Sequence, residues 1–471
     1  MTQRLQAPVF GSEVETRLLA EFHRAAEHVP AYRILLDEQR VSVAHVRDFH
    51  TFSNLCPLLA RSNTFDRFPL TQMMVECQLR DVVGVLTSSG QGGRFSFGVI
   101  SRKEAAAGAS FVDDALDQAF AVKSRATLAI NCLPMGVGLP SEAMTVATTS
   151  VREDMAVAVV QALGDRYEQI LLVSDPLFMK RLTDHADEHM VDWGRYRVNA
   201  VLGEEVFGEH FRGYVARCLG LNLDRPEQGY ILSSFGVAEL GLNLGIETLA
   251  TIALRRLAAI KAEFARDLLG RDTTRGEPLP ILFTFDPQRT FIEVVEPDHH
   301  GYGTLTVSML DPDRSVPLLR YQTGDVARLL DHDHVTATLR RHDVPICDVP
   351  EALLAFQGRD KERLPNRSHV GLYKDALYAN HQFARCLTGA VRLIFSGSRC
   401  TMHVQLVRGQ APDKAVEHGI LREIAADVRP ADLVLWPYAD FPFGMRLDYE
   451  RKFLHYVAGE QLKPATHEAI R

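Results

Sequence analysis

The sequence predicts an α/β chain with a large N-terminal domain and a small α+β C-terminal one, and three patterns carry that expectation. Between residues 110 and 260 short apolar runs alternate with amphipathic stretches, the signature of layered helices on a mostly parallel sheet. From 280 to 330 apolar strands follow one another with only turns between them, as in an antiparallel meander or small barrel packed on that body. After Gly358 a shorter set of strands and helices has enough alternating positions for its own core. The one boundary falls near 357–362, dividing the chain into 1–358 and 359–471.

Each element follows from its local pattern. Val14, Leu18, Leu19, Phe22 and Ala26 recur at helical spacing, Pro30-Ala31-Tyr32 follows, and a second helical stretch covers 43–59. An apolar run at 81–86 leads into Thr87-Ser88-Ser89-Gly90-Gln91-Gly92-Gly93-Arg94, and 94–100 resumes as a strand, which sets the Gly-rich loop on a sheet edge. Strands are expected at 126–130, 170–173, 197–202 and 230–233, with helices at 151–163 and 209–219. The meander comprises 281–285, 291–295 and 303–309. In the small unit, helices are expected at 373–386 and 413–426 and strands at 391–396, 401–407 and 432–437.

Composition narrows the function classes. The 471 residues are 46% hydrophobic and 24% charged, ordinary values for a globular chain with a sizeable core. A net charge of -8 argues against nucleic acid as the main partner, because phosphate contacts need a basic surface. The seven cysteines are scattered, with no CxxC pair, as in a reduced cytoplasmic protein. The N-terminus has no apolar signal core, and no run has transmembrane length, so no membrane partner is expected.

Five motifs carry chemistry. Thr87, Ser88 and Ser89 with Gly90, Gly92 and Gly93 offer hydroxyls and uncrowded backbone N–H groups to phosphate oxygens, although the stretch departs from the GxxxxGK[ST] pattern; the bland alternative is a Ser/Gly turn. Ser234-Phe235-Gly236-Val237-Ala238-Glu239 places an aromatic, a glycine and an acid close together, or else marks a strand end and a helix start. Arg320-Tyr321-Gln322-Thr323-Gly324-Asp325 ends in a carboxylate suited to two adjacent hydroxyl donors, or in an ordinary turn Asp. Gly358-Arg359-Asp360-Lys361 follows, and Tyr449-Glu450-Arg451-Lys452-Phe453 lies near the C-terminus.

Taken in this order, the motifs resemble the adenylate-forming superfamily and, within it, the phenylacetate–CoA ligase-like branch. The resemblance implies that the Gly-rich loop wraps the phosphates of ATP, Phe235 stacks on adenine, and Glu239 helps hold magnesium. It further implies that Asp325 binds the ribose, Arg359 reaches the nucleotide, and Lys361 is the hinge of the small domain. Lys452 would supply the catalytic cation, with Arg446 and Arg451 as substitutes. The acid pocket would lie beside Leu133, Met135, Val137, Gly203 and Glu204, whose apolar members suit an aryl or other hydrophobic acid.

The sequence also departs from the family pattern. Gln91, Gly92 and Arg94 replace Thr, Thr and Lys of the phosphate loop, Ala238 replaces a hydroxyl residue, and only Cys347 stands where relatives carry a zinc cluster, so no zinc is expected. The expected reaction joins a carboxylic acid to AMP and then to coenzyme A. An amine or a carrier-protein thiol as acceptor is the first rival, and a non-catalytic nucleotide-binding relative the second. A homodimer is compatible with either. The pairs His332/His334 and His299/His300 fall in polar turns, and no Ser sits in a G-x-S-x-G elbow.

Overall fold

The structure, a computed structural model, describes residues 5–6, 11–75, 79–87, 96–134, 136–273, 277–345, 348–444 and 449–461. Among them a twelve-stranded sheet runs through the large unit. One half is parallel, in the order Thr145–Thr148, Thr127–Asn131, Gln169–Ser174, Val198–Leu202 and Ile231–Val237. Its inner strands are buried on both faces, which is why they read as unbroken apolar runs such as Ile170–Val173.

The strand Ile231–Val237 joins the two halves. Its first residues pair in parallel with Val198–Leu202 and its last pair antiparallel with Gly241–Ile246. Leu240 N–H bonds the Val237 carbonyl at 2.9 Å, closing a tight reversal where a helix start was the alternative. The expected meander is therefore continuous with the parallel sheet, not a separate layer packed on it. Growth continues edgewise through Ile281–Thr284, Leu353–Arg359, Tyr321–Leu330, Gly303–Met309, Thr290–Val295 and Leu5–Gln6.

The N-terminal helices are Ser12–His28 and Pro30–Glu38. The expected second stretch breaks into a 3-10 turn Val43–His45 and a helix Phe49–Leu55, because Asp48 caps the latter: its Oδ1 accepts the Thr51 N–H at 2.7 Å. This segment is clipped to the sheet where Leu59 N–H bonds the Arg320 carbonyl and Gln322 N–H bonds the Leu59 carbonyl. Arg320 itself is fully buried, 3.1 Å from Glu293 and donating to the Cys56 carbonyl at 2.7 Å. Removing one partner of such a pair typically costs about 3–5 kcal/mol, so Arg320 is structural despite standing in the motif.

Strands Val82–Thr87 and Phe97–Ser101 form a two-stranded ribbon of their own rather than an edge of the large sheet. His332 and His334 fall in the first turn of helix His332–Arg341, capped by Asp331, rather than in a loop.

In the C-terminal unit Leu387–Ser396, Arg399–Leu406 and Asp432–Trp436 make a three-stranded sheet. The expected helix 373–386 is two helices, Val370–Ala376 and His381–Arg385, because the Asn380 side chain accepts the Gln382 N–H at 2.9 Å and starts a new cap. The unit lies on helices Pro176–Glu188 and Glu209–Cys218 of the body. One hydrophobic core runs from Leu128 through Phe178 and Tyr214 to Tyr378, Val404 and Leu435. Among the described residues no helix is long and apolar enough to cross a membrane.

Candidate active site

The antiparallel register of Tyr321–Leu330 on Leu353–Arg359 sets Asp325 opposite Arg359. Directly paired residues point to the same face, so two motifs separated in sequence meet: Arg359 Nε lies 3.1 Å from Asp325 Oδ1. Arg359 also donates to the Thr323 carbonyl at 3.2 Å. Asp325 is 1% exposed, and its Oδ2 has no hydrogen-bond partner among the described residues. Burial pushes this carboxyl up while Arg359 opposes the shift. A buried acceptor oxygen beside an open cavity is what a ribose hydroxyl would satisfy. Lys361 follows in the turn Asp360–Glu362, where burial and the neighbouring Arg359 push its amine down.

Lys452 reaches the same place from the C-terminal end. Its Nζ is 2.6 Å from the Glu204 carboxylate and 3.2 Å from the Glu204 carbonyl. Glu204 has φ +72, an uncommon setting for a non-glycine residue. Beside it, Glu205 is paired with Lys374 and lies 3.7 Å from His455 Nε2. Burial alone would raise the Glu205 carboxyl, but Lys374 and His455 hold it well below the usual carboxylate range. Asp175, behind these acids, caps helix Pro176–Glu188. Burial pushes its carboxyl up to about 7, against the Phe178 N–H, with Glu205 and Glu204 adding to the rise.

Glu239 stands in the reversal after Ile231–Val237, buried, and accepts a hydrogen bond from the Tyr321 hydroxyl at 3.3 Å. Gly98 of the ribbon packs against this turn so closely that a Cβ would overlap the Ala238 carbonyl oxygen. Thr87, Val137, Glu204, Gly236, Glu239, Asp325, Arg359, Lys361 and Lys452 all line one cavity of about 1210 Å³. Ser88, Ser89, Gly90, Gly92 and Gly93 lie outside the described residues, as do Met135 and Arg446.

A second cavity of about 640 Å³ shares Leu86 and Ala238 with the first. Leu133, Gly138, Ser234 and Leu240 line it, and helix Arg102–Phe120 supplies Gly108, Phe111 and Ala115 as another wall. Two expected site residues sit elsewhere. Phe235 faces the core, its ring 4.4 Å from that of Phe356 and 5.9 Å from that of Phe283, and it lines neither cavity. Strand alternation sends Phe235 away from the face that Ser234 and Gly236 share. Gly203 also lines neither cavity and packs beside the Ser234 hydroxyl.

Sequence reading passed over Glu205, Lys374 and His455, three residues from distant segments with no shared motif. It also passed over Tyr321 as the donor to Glu239, although Tyr321 stands inside the Arg-Tyr-x-Thr-Gly-Asp stretch.

No family model matches the chain, and no curated protein matches it. Solved structures do. A 2-hydroxyisobutyryl-CoA ligase in the postadenylation state, in complex with R3-HIB-AMP, is 12% identical over 94% of this chain and 88% of that chain, with a TM-score of 0.64. The same ligase in the thioesterification state, with 2-HIB-AMP and CoA, is 14% identical over 92% and 88%, with a TM-score of 0.54. Its open conformation, 12% identical over 94% and 90%, also scores 0.54. The chain thus has the fold of these ligases over nearly its whole length, as the α/β expectation with a C-terminal α+β unit required.

Proposed function

We propose that the chain activates a carboxylic acid with ATP, forming an acyl-AMP and pyrophosphate, and then passes the acyl group to an acceptor, coenzyme A or an amine. The observation that carries this reading is the meeting of Asp325, Arg359, Glu239 and Lys452 on one cavity, joined at Ala238 to an apolar second cavity. The larger cavity takes the nucleotide, with Asp325 Oδ2 accepting from the ribose and Thr87 toward the phosphates. The smaller takes the acid, and its Leu, Val and Phe walls suit an aryl or other hydrophobic acid.

Attack of a carboxylate on the α-phosphate brings two anions together, and a fixed cation there stabilises the transition state. Lys452 is that cation, delivered from the C-terminal unit while Glu204 holds it in the cavity. Magnesium fits Glu239: its buried carboxylate has one donor among the described residues, Tyr321, and keeps hard oxygen lone pairs for a cation. Bound there, the metal would offset phosphate charge. Lys361 is the residue about which the C-terminal unit would turn. The described cysteines are all free, which fits a cytoplasmic setting.

The test is acid-dependent ATP–pyrophosphate exchange over aryl, fatty and amino acids. Exchange with at least one hydrophobic acid is expected, and its absence with all of them overturns adenylation in favour of a nucleotide-binding protein.

A further inference from the structure

Away from both cavities, one helix end gathers ligating side chains that the ligation chemistry does not use. His185-Ala186-Asp187-Glu188-His189 closes helix Pro176–Glu188, with His189 as its C-cap. Residues three and four apart share a helical face, and two histidines at that spacing are how H-E-x-x-H and H-x-x-E-H helices present imidazoles to zinc. Among the described residues, His185, Glu188 and His189 each bring one ligand atom to within 4.8 Å of the others. None of the three lines either cavity.

Each side chain is set for a cation. His189 Nδ1 donates to the His185 carbonyl at 2.9 Å, an oxygen that also accepts the His189 N–H at 3.1 Å, so the ring is held and its Nε2 keeps a lone pair. His185 is half-buried, and its Nδ1 has no hydrogen-bond partner among the described residues. Burial, then His189 and Arg181, push its pKa down, which keeps the imidazole neutral and able to ligate. Glu188 turns Oε1 toward Arg181 Nη1 at 3.6 Å and sets Oε2 3.6 Å from His185 Nδ1. The second distance is too long for a hydrogen bond. It is, however, the spacing of two atoms held on one tetrahedral zinc, roughly 3.3–3.6 Å when each bond is about 2.0–2.2 Å. The two rings stand 4.1 Å apart, centroid to centroid. A cation is also favoured here by the helix's last carbonyls, whose partial negative charge gathers at this end.

We propose that His185, Glu188 and His189 form a binding site for zinc or a similar divalent transition ion, with water completing the coordination. The absence of zinc expected from the sequence concerned the interval around Cys347; this site lies elsewhere, on the body, at the end of a helix. It holds the last turn of that helix together and stands apart from the adenylation reading.

The test uses the full chain, stripped with a chelator and titrated with zinc alone, with binding read by competition against a chromogenic chelator. Saturable binding is expected, weakened at least about tenfold in His189→Ala and by a smaller factor in Glu188→Gln. Both residues are exposed, so neither change opens the core. Zinc should also raise the midpoint of thermal unfolding of the parent chain and leave that of His189→Ala nearly unmoved. Cobalt in place of zinc reads the ligands directly: visible bands without a sulfur-to-metal band are expected, and a sulfur band would move the ion to a cysteine such as Cys218 or Cys386 and overturn the site. Equal zinc affinity in parent and His189→Ala, or no saturable binding by the parent, overturns it as well. No arm uses the ATP reaction, so this outcome is separate from that of the exchange assay.

Discussion

Lys452 and Glu204 stand 248 residues apart in the chain, yet the ammonium of one meets both the carboxylate and the carbonyl of the other. The lysine is thereby held inside the cavity by a residue that has two ways to bind it.

Lys452→Ala should therefore cut ATP–pyrophosphate exchange by about 10²- to 10³-fold, the scale of losing one fixed charge at a transition state. ATP binding by calorimetry should stay nearly intact. Glu204→Gln, which keeps the carbonyl contact, should lose much less. Near-normal exchange in the alanine variant would move the role to Arg451.

For Asp325→Ala the loss should appear in KM for ATP, raised about ten- to a hundredfold, as for a charged hydrogen-bonding group worth roughly 1.5–3 kcal/mol. The KM for the acid should not change. Equal effects on both substrates in steady-state kinetics would mean that the Arg359 partnership, not the ribose contact, was being read.

Gly108 lies inside helix Arg102–Phe120 with no atom within 4 Å of the position a Cβ would take. Gly108→Ala should raise stability by about 0.5–1 kcal/mol in thermal or denaturant unfolding. Gly108→Leu should fill the smaller cavity, lowering kcat/KM for bulky acids more than for short ones while leaving KM for ATP alone. A uniform loss across acids would place acid binding elsewhere.

The Asp175 carboxyl is raised to about 7 when folded, so the folded state holds a proton that the unfolded chain releases near pH 4. Its contribution is full below pH 4 and is lost as pH rises to about 7, by at most a few kcal/mol at roughly 1.4 kcal/mol per pKa unit. Asp175→Asn keeps the helix cap. Denaturant unfolding at several pH values should show that the variant gains on the parent between pH 4 and 7; a parallel pH dependence of the two would contradict the shift.

Part of the site was legible because its residues stand in compact local motifs. Asp325 and Arg359 each belong to a motif, and one antiparallel register brings them together. Lys452 was singled out by the family resemblance, and the structure sets it on the same cavity as Asp325. Phe235 packs into the core rather than onto either cavity, as strand periodicity separates it from Ser234 and Gly236. The meeting of Glu205, Lys374 and His455 was beyond reach, since three separated segments converge through tertiary packing. The docking of the C-terminal unit was equally hidden: Phe178, Phe211 and Tyr378 read as core residues of whichever domain holds them, and nothing local says that they face one another.

The near-contact of Gly98 with the Ala238 carbonyl has a mechanical meaning. The ribbon that carries both ends of segment 88–95 is pinned, at a point without a side chain, to the turn that carries Glu239. The ribbon and the acidic turn thus share a backbone contact, and a displacement of either is felt at the other. Substitutions at Gly98 and Ala238 should accordingly depart from additivity in adenylation rate, as neighbours sharing a backbone contact do.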